Sequence, residues 1–125
     1  MGNKYLQLND INAYKVSFSL SNHVWDVVLE WDILAKRTIG EQFIRAVDSI
    51  SANIAEGFGR FNKKDKIRFY YIARASVFES LDWNEKAKNR NLLKKDQYDY
   101  ILGQLKNLPK EINHLIGYTN KNLSI

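Results

Sequence analysis

Apolar residues recur every three or four positions along four long stretches of this sequence, and this spacing restricts the fold more than any other feature. The first stretch runs from Ala13 to Leu34, and the second runs from Phe43 to Ile54. Residues spaced in this way share one face of an α-helix. Because the chain has only 6 Gly and 1 Pro, it offers few tight turns for hairpins. The pattern therefore predicts four amphipathic helices.

The ends of the first two helices are predicted from polar residues and glycines. The first helix is expected to have Asp10 or Asn12 as its N-cap and to end near residues 36–38, before Gly40. The second is expected to stop at Gly57, because glycine readily adopts the left-handed conformation that terminates helices.

The third and fourth helices complete the predicted fold. The third is expected from about Lys63 to Arg90, with apolar residues on two lines that suit two packing partners. The fourth is expected to begin near Asp96, and Pro109 inside it predicts a kink or a local break. Short connections place sequential helices side by side. We therefore expect one all-α domain over residues 1–125, an antiparallel up-down-up-down four-helix bundle.

Composition excludes several kinds of reaction centre. The chain has no Cys, so it can form neither a disulfide nor a Cys-ligated zinc site, and it has only 2 His. One Glu-x-x-His motif, Glu111 to His114, occurs without the second that a ferritin-like di-metal bundle needs. His23 and His114 are the only possible partners for a nucleophilic serine, and neither has an identifiable third member of a catalytic triad, so nucleophilic hydrolysis is not expected. The sequence predicts no metal, no cofactor and no catalytic site.

The sequence also indicates where the protein works. No apolar stretch approaches the roughly 20 residues that a membrane span needs. Residues 1–10 contain neither an export signal nor a lipidation motif. We expect a cytoplasmic protein with no membrane contact.

A polar stripe lies beside the apolar stripe of the second helix. Our interpretation is a hydrogen-bonded network in which Arg45, Asn53 and Glu56 of this stripe bond to the third helix and fix the register, and the alternative is a ligand or catalytic site. The stripe consists of Gln42, Arg45, Ser49, Asn53 and Glu56, and the expected partners are Arg74, Ser76 and Glu79.

Two blocks of the sequence carry a family resemblance. Residues 45–57 contain the run Asn-Ile-Ala-Glu-Gly, and residues 69–79 contain Ile-Ala-Arg-Ala-Ser followed by Glu. Together they resemble the bacterial four helix bundle proteins called 23S rRNA intervening-sequence proteins, although Ala75 stands where that family often has glycine. The resemblance marks the following as structural signature residues: Arg45, Ser49, Asn53, Glu56, Gly57, Ser76 and Glu79.

The resemblance also implies an assembly and a set of partners. It implies a homopentamer of four-helix protomers without an established catalytic activity. The accessory variability determinants of diversity-generating retroelements are similar to this family, and they bind a reverse transcriptase and nucleic acid. RNA, DNA and a reverse-transcriptase-like protein are therefore hypothetical partners of this chain.

Basic residues cluster at the two ends of the third helix. The net charge is +5, from 19 Lys and Arg against 14 Asp and Glu, which permits an acidic partner without requiring one. The clusters are either solvated helix ends or contacts to nucleic acid or an acidic protein. They comprise Arg60, Lys63, Lys64, Lys66 and Arg68 at one end, and Lys86, Lys88, Arg90, Lys94 and Lys95 at the other.

Large apolar residues exceed what one small bundle can enclose. Large apolar side chains on a protein surface mark subunit interfaces more often than platforms for stacking bases. The sequence thus predicts an oligomeric scaffold with basic surfaces for nucleic acid or a nucleic-acid-processing protein; the alternative is a purely structural protein-protein module. The predicted interface residues are Trp25, Phe69, Ile72, Phe78 and Trp83, with Phe18 beside them.

Overall fold

The computed structural model describes residues 6–123, and every regular element in this range is helical. Residues 1–5 and 124–125 lie outside the described residues. The predicted domain, residues 1–125, includes both ends, and the segment inspected for export signals, residues 1–10, includes the first five. Within the described range the all-α prediction is confirmed. A 3₁₀ turn (Leu8–Asp10) is followed by α1 (Asn12–Leu29), α2 (Glu41–Gly59), α3 (Lys63–Asn89) and α4 (Lys95–Asn122).

The four long helices surround one core. α1 packs on α2 and α4, and α3 packs on the same two helices, so α1 and α3 lie diagonally across the core. The predicted apolar stripe of α2 is confirmed, because Phe43, Val47, Ile50 and Ile54 are all fully buried. Burial of one such side chain stabilises the fold by about 1.5–3 kcal/mol. Between residues 6 and 123, no helix combines the length and apolarity needed to cross a membrane.

α1 is shorter than its pattern predicts. The expectation that it reaches residues 36–38 is wrong, because it ends at Leu29. Asp32 takes an extended backbone, and its Oδ1 accepts the N–H of Ala35 at 3.0 Å, which starts a new helical segment, Ile33–Ala35. Leu34 continues the three-four spacing but is 73% exposed. The spacing alone therefore overstates the length of the helix.

The N-terminal end of α1 also differs from the prediction. Neither Asp10 nor Asn12 is its N-cap, which is Ile11. The Asp10 carboxylate instead accepts the N–H of Gln7 at 2.8 Å, within the preceding 3₁₀ turn, and Asn12 is the first helical residue.

A π-turn joins the short segment to α2 without a break. It covers Lys36–Gly40, and Gly40 has helical φ and ψ angles of −60° and −47°, so the predicted stop before Gly40 is wrong. A Cβ atom added at Gly40 would lie 2.8 Å from Cγ1 of Val28. The glycine is thus required because α1 approaches the turn too closely for any side chain.

Gly57 plays a different part from the predicted one. α2 continues to Gly59, and none of the glycines at positions 6–123 has a positive φ. A Cβ atom at Gly57 would lie 2.7 Å from the ring of Tyr70 and 2.9 Å from the carbonyl oxygen of Lys66. Tyr70 is deeply buried, and burial raises its pKa to about 12. Gly57 therefore permits the close approach of α2 and α3.

α3 and α4 lie close to their predicted positions. α3 ends one residue before Arg90, and α4 begins one residue before Asp96. The N-cap of α4 is Lys94, whose N–H is accepted by Oε1 of Gln97 at 2.9 Å. The helix runs through Pro109 without a break, because fully buried core residues hold the turns on both sides of it. These residues are Leu105, Leu108 and Ile112.

The glycine contact gives a prediction with an internal control. Gly57→Ala should lower the free energy of unfolding by about 1–3 kcal/mol, because Tyr70 has to move. Gly103→Ala in α4 should raise it by up to about 1 kcal/mol, because open space surrounds that position and alanine favours the helix. Urea denaturation followed by circular dichroism measures both. Equal stabilisation by the two substitutions would contradict the close packing.

Candidate nucleic-acid interface

The α3–α4 basic cluster consists of Lys86, Lys88, Arg90, Lys94 and Lys95 and lies where α3 ends and α4 begins. Asn91 has a φ of 58°, in the left-handed region. Its N–H donates to the carbonyl of Lys88 at 3.0 Å, and the N–H of Leu92 donates to the carbonyl of Ala87 at 2.9 Å. These two bonds form a Schellman motif. The connection that carries the basic residues thus has a defined shape.

Two cations of this cluster have acidic partners on their own helices. Nζ of Lys86 lies 2.6 Å from Asp82, and Nζ of Lys95 lies 2.6 Å from Asp99. The hydrogen bond to Asp99 raises the pKa of Lys95. The neighbouring carboxylates reduce the attraction of both lysines for a phosphate.

The other three cations of the cluster are available. Across the part of the chain that the structure describes, Lys88, Arg90 and Lys94 have no carboxylate within 4.0 Å. All three are exposed, and Nζ of Lys88 lies 4.3 Å from the centre of the Tyr98 ring. The Tyr98 hydroxyl donates to Glu85, which raises the pKa of Tyr98. The cluster therefore combines free positive charge with an aromatic ring on a fixed turn.

The α2–α3 basic cluster consists of Arg60, Lys63, Lys64, Lys66 and Arg68 and surrounds the start of α3. Three of its members have partners. Arg60 lies 2.9 Å from Glu56, Arg68 lies 3.9 Å from Asp65, and Nζ of Lys66 donates to the carbonyl oxygen of Phe58 at 2.6 Å.

Lys66 holds the end of α2. The carbonyl of Phe58 belongs to the last turn of α2, where helical partners are lacking, and a cation there opposes the helix dipole favourably. Partial burial lowers the pKa of Lys66.

An open apolar groove of about 700 Å³ lies beside Lys63 and Lys64. Its apolar lining comes from the outer side of α3, and Asn120 of α4 closes one side. Arg68 also lines the groove, and its guanidinium lies 4.8 Å from the centre of the Phe69 ring. The groove was not predicted from the sequence, because both apolar lines of α3 were expected to face packing partners. The lining residues are Ile67, Tyr71, Ile72 and Ala75.

The polar stripe of α2 makes a smaller interhelical network than predicted. The Oγ atoms of Ser49 and Ser76 lie 2.9 Å apart, which links α2 to α3. Nδ2 of Asn53 donates to both the carbonyl and the Oγ of Ser49 at 2.8 Å. The predicted bond from Asn53 to α3 is therefore wrong, because Asn53 bonds within α2, and the link to Ser76 comes from Ser49 instead.

The longer side chains of the predicted network bond elsewhere. Arg45 pairs with Glu41 at 2.9 Å, one turn earlier in α2, and Glu56 pairs with Arg60, the residue that follows α2. Oε2 of Glu79 accepts Nε1–H of Trp83 at 3.3 Å.

Arg74 reaches α4 rather than α2. Its Nη1 donates to Oδ1 of Asn113 at 2.6 Å. Gln42 is exposed, as are Arg45, Glu56 and Glu79. The prediction for the charged members of the stripe is wrong, because exposed side chains meet the nearest partner of opposite charge.

The predicted interface residues differ in exposure. Trp25, Ile72 and Phe78 are exposed, and so is Phe18. Phe69 and Trp83 are half-buried, and Trp83 packs against the core. Their role in assembly stays a prediction.

The structure also locates the residues considered for metal binding. Among residues 6–123, no three His, Cys, Asp or Glu side chains are grouped closely enough to hold a metal ion. His114 is exposed.

Comparison with known proteins identifies a matching family and a solved structure with a similar fold. Residues 9–114 match the family model described as 23S rRNA-intervening sequence protein. A crystal structure of a protein of unknown function from the S23 ribosomal protein family of Bacteroides thetaiotaomicron has a TM-score of 0.74 and 19% sequence identity. The match covers 83% of this chain and 97% of that one. No curated protein matches the chain.

The Schellman motif predicts a response to substitution at Asn91. Asn91→Ala should lower the free energy of unfolding by about 1 kcal/mol, because a Cβ without a polar side chain disfavours the left-handed conformation. Asn91→Gly should preserve or raise it. Thermal unfolding of both variants measures the difference, and equal stabilities would contradict the left-handed turn.

The polar stripe gives a second stability prediction. Asn53→Ala should lower the free energy of unfolding by about 0.5–1 kcal/mol, because two hydrogen bonds are lost and the helix preference of alanine offsets part of that loss. Glu56→Ala should change it by less than about 0.5 kcal/mol, because the ion pair with Arg60 is exposed. Chemical denaturation compares the two, and a larger loss for Glu56→Ala would refute this ranking.

Proposed function

The chain belongs to the 23S rRNA-intervening sequence protein family, and we propose that it is a non-enzymatic oligomeric scaffold whose basic surfaces bind nucleic acid. A nucleic-acid-processing protein, such as a reverse-transcriptase-like enzyme, is the second ligand of the scaffold in this proposal. The cytoplasmic location stays a prediction.

The observation that carries the proposal is the α3–α4 basic cluster. Lys88, Arg90 and Lys94 present three charges without acidic partners among the described residues, on a turn held by a Schellman motif. Phosphate groups attract such charges, and the release of counterions from the nucleic acid supplies most of the binding free energy. A cation that already pairs with a carboxylate contributes less.

Assembly of several copies strengthens this attraction. The protomer in the proposal is an up-down-up-down bundle, which is supported by short connections between helices that pack on each other. Exposed aromatic residues such as Trp25 and Phe78 support association into an oligomer, of which a pentamer is the form implied by the sequence resemblance. Several copies of the cluster in one assembly bind a long nucleic acid with avidity.

A protein partner alone is the second candidate function. The groove beside Lys63 and Lys64 favours it, because the groove is apolar and its rim is positively charged. Such a surface suits an amphipathic segment with acidic residues better than it suits a phosphate backbone.

Binding measured against salt concentration tests the main proposal. Fluorescence anisotropy with labelled single-stranded and duplex RNA and DNA should show affinity that falls linearly on logarithmic axes, with a slope of about −0.9 per duplex phosphate neutralised. Replacing Lys88, Arg90 and Lys94 by Ala should weaken binding and reduce the slope by up to about 0.9 per cation removed. Adding Lys95→Ala should extend the loss.

The matched control is Lys95→Ala alone. Because Asp99 partners Lys95, this variant should lose less affinity than Lys94→Ala. Circular dichroism and light scattering should show unchanged helicity and assembly in every variant. Absence of binding to every RNA and DNA at about 50 mM salt would refute the nucleic-acid role and favour the protein partner.

A further inference from the structure

A cavity of about 490 Å³ lies beside the α3–α4 basic cluster, between the end of α1 and the start of α4. Sites for small ligands typically have volumes of about 300–1,000 Å³. Lys94 of the basic cluster lines this cavity, so the cavity continues the surface on which the proposed function depends. Its apolar lining consists of Val27, Trp31, Leu92 and Leu93.

Backbone hydrogen bonds fix the side of the cavity that follows α1. The N–H of Glu30 donates to the carbonyl of Val27 at 3.2 Å, and the N–H of Trp31 donates to the carbonyl of Val28 at 3.0 Å. Trp31 is only 9% exposed, so its ring belongs to the wall rather than to the surface. On the side that precedes α4, the cap of Lys94 and the Schellman motif hold the backbone. The side chains that line the cavity therefore start from defined positions.

Glu30 and Lys94 bring opposite charges to this cavity without pairing. Both side chains are exposed, and within the described range neither has a group of opposite charge within 4.0 Å. A ligand with a negative end and a set of hydrogen-bond donors satisfies both groups. Its negative end suits the ammonium of Lys94, and its donors suit the carboxylate of Glu30, which only accepts hydrogen bonds.

Gln97 contributes a third polar group to the lining. It is half-buried, and its Oε1 already accepts the N–H of Lys94 at 2.9 Å. The Nε2 hydrogens are therefore the part of this amide that is left to bond a ligand, and they bond an acceptor. The cavity thus offers a hydrogen-bond acceptor, a hydrogen-bond donor and a positive charge beside an apolar wall.

Guanine is the base whose edge matches these groups. Its Watson–Crick edge presents the O6 acceptor next to the N1–H and N2–H donors. Two adjacent donors bond both oxygens of a carboxylate such as Glu30, and O6 accepts from an amide such as Gln97. Adenine and cytosine each present a single donor group on this edge, and uracil presents one N–H between two oxygens that a carboxylate repels. The polar lining therefore favours guanine over the other bases.

We propose that this cavity binds an unpaired guanine of a single-stranded nucleic acid. Glu30 accepts from N1 and N2 of the base, and Gln97 donates to O6. The flat ring packs on the apolar wall that includes Trp31, and Lys94 attracts the adjoining phosphate. The guanine has to be unpaired, because base pairing uses the same edge. The inference rests on the proposed nucleic-acid binding and adds to it a preference for one base.

Fluorescence anisotropy with labelled short RNA strands tests this preference. An oligouridine strand is compared with the same strand carrying one central guanosine, and the parent chain should bind the second about tenfold more tightly. Adenosine at the same place should gain less affinity, because it offers one donor group. Inosine, which lacks the N2 amine, should bind more weakly than guanosine.

Glu30→Gln tests the residue that reads the base. This variant should lose most of the guanine preference, whereas its affinity for oligouridine should stay the same or rise, because one negative charge near the phosphates is gone. Asp26→Asn is the matched control. It removes the same charge about one turn earlier on α1, outside the lining of the cavity, and should keep the guanine preference. Circular dichroism should show parental helicity for both variants.

The outcomes separate this inference from the proposed function. Equal affinity of the parent chain for the guanosine and oligouridine strands would overturn the inference and leave the nucleic-acid role intact. A guanine preference that survives Glu30→Gln, or a loss of affinity for both strands alike, would also overturn it. Absence of binding to every strand at about 50 mM salt would overturn both the inference and the proposed nucleic-acid role.

Discussion

The close approach of α2 and α3 is the constraint on which the rest of the structure depends. It is possible because Gly57 has no side chain where the Tyr70 ring and the Lys66 carbonyl lie. The same two helices are also joined by a hydrogen bond between Ser49 and Ser76, about two turns before Gly57 in α2. Small residues on both helices therefore set their separation and their relative register. With α2 and α3 fixed, α1 and α4 each pack against one of them and against each other.

The sequence predicts the fold well because the fold depends on periodic burial. Spacing alone predicts which apolar residues face the core in two helices, and these residues are buried in the structure. They lie between Phe43 and Ile54 in α2 and between Ile101 and Leu115 in α4. Spacing does not show where a helix stops, which is decided by local bonds such as the Asp32 cap. The spacing also does not distinguish a glycine that ends a helix from a glycine that lets two helices approach closely. That difference depends on which residue of another helix lies opposite, as Tyr70 lies opposite Gly57.

The candidate interface was predictable in part. The basic clusters are visible in the sequence, but their free charge is not, because it depends on the acidic residues one turn away. Asp82 and Asp99 form ion pairs with two lysines of the α3–α4 cluster, and the other three cations of the cluster have no acidic partner among the described residues. Similarly, the polar stripe was visible, yet only its short side chains join the helices. The long charged ones bond within their own helix or to the next residue of opposite sign.

The π-turn at Lys36–Gly40 has a consequence for chain length. A π-turn accommodates one residue more than an α-helical turn while the helix continues on both sides. Loss of one residue there would narrow the turn to an ordinary one and leave the buried faces before and after it nearly aligned. A similar loss within α2 would rotate the following residues by about 100° and expose Ile50 and Ile54. Insertions and deletions among homologues should therefore concentrate at this turn rather than in the helices beside it.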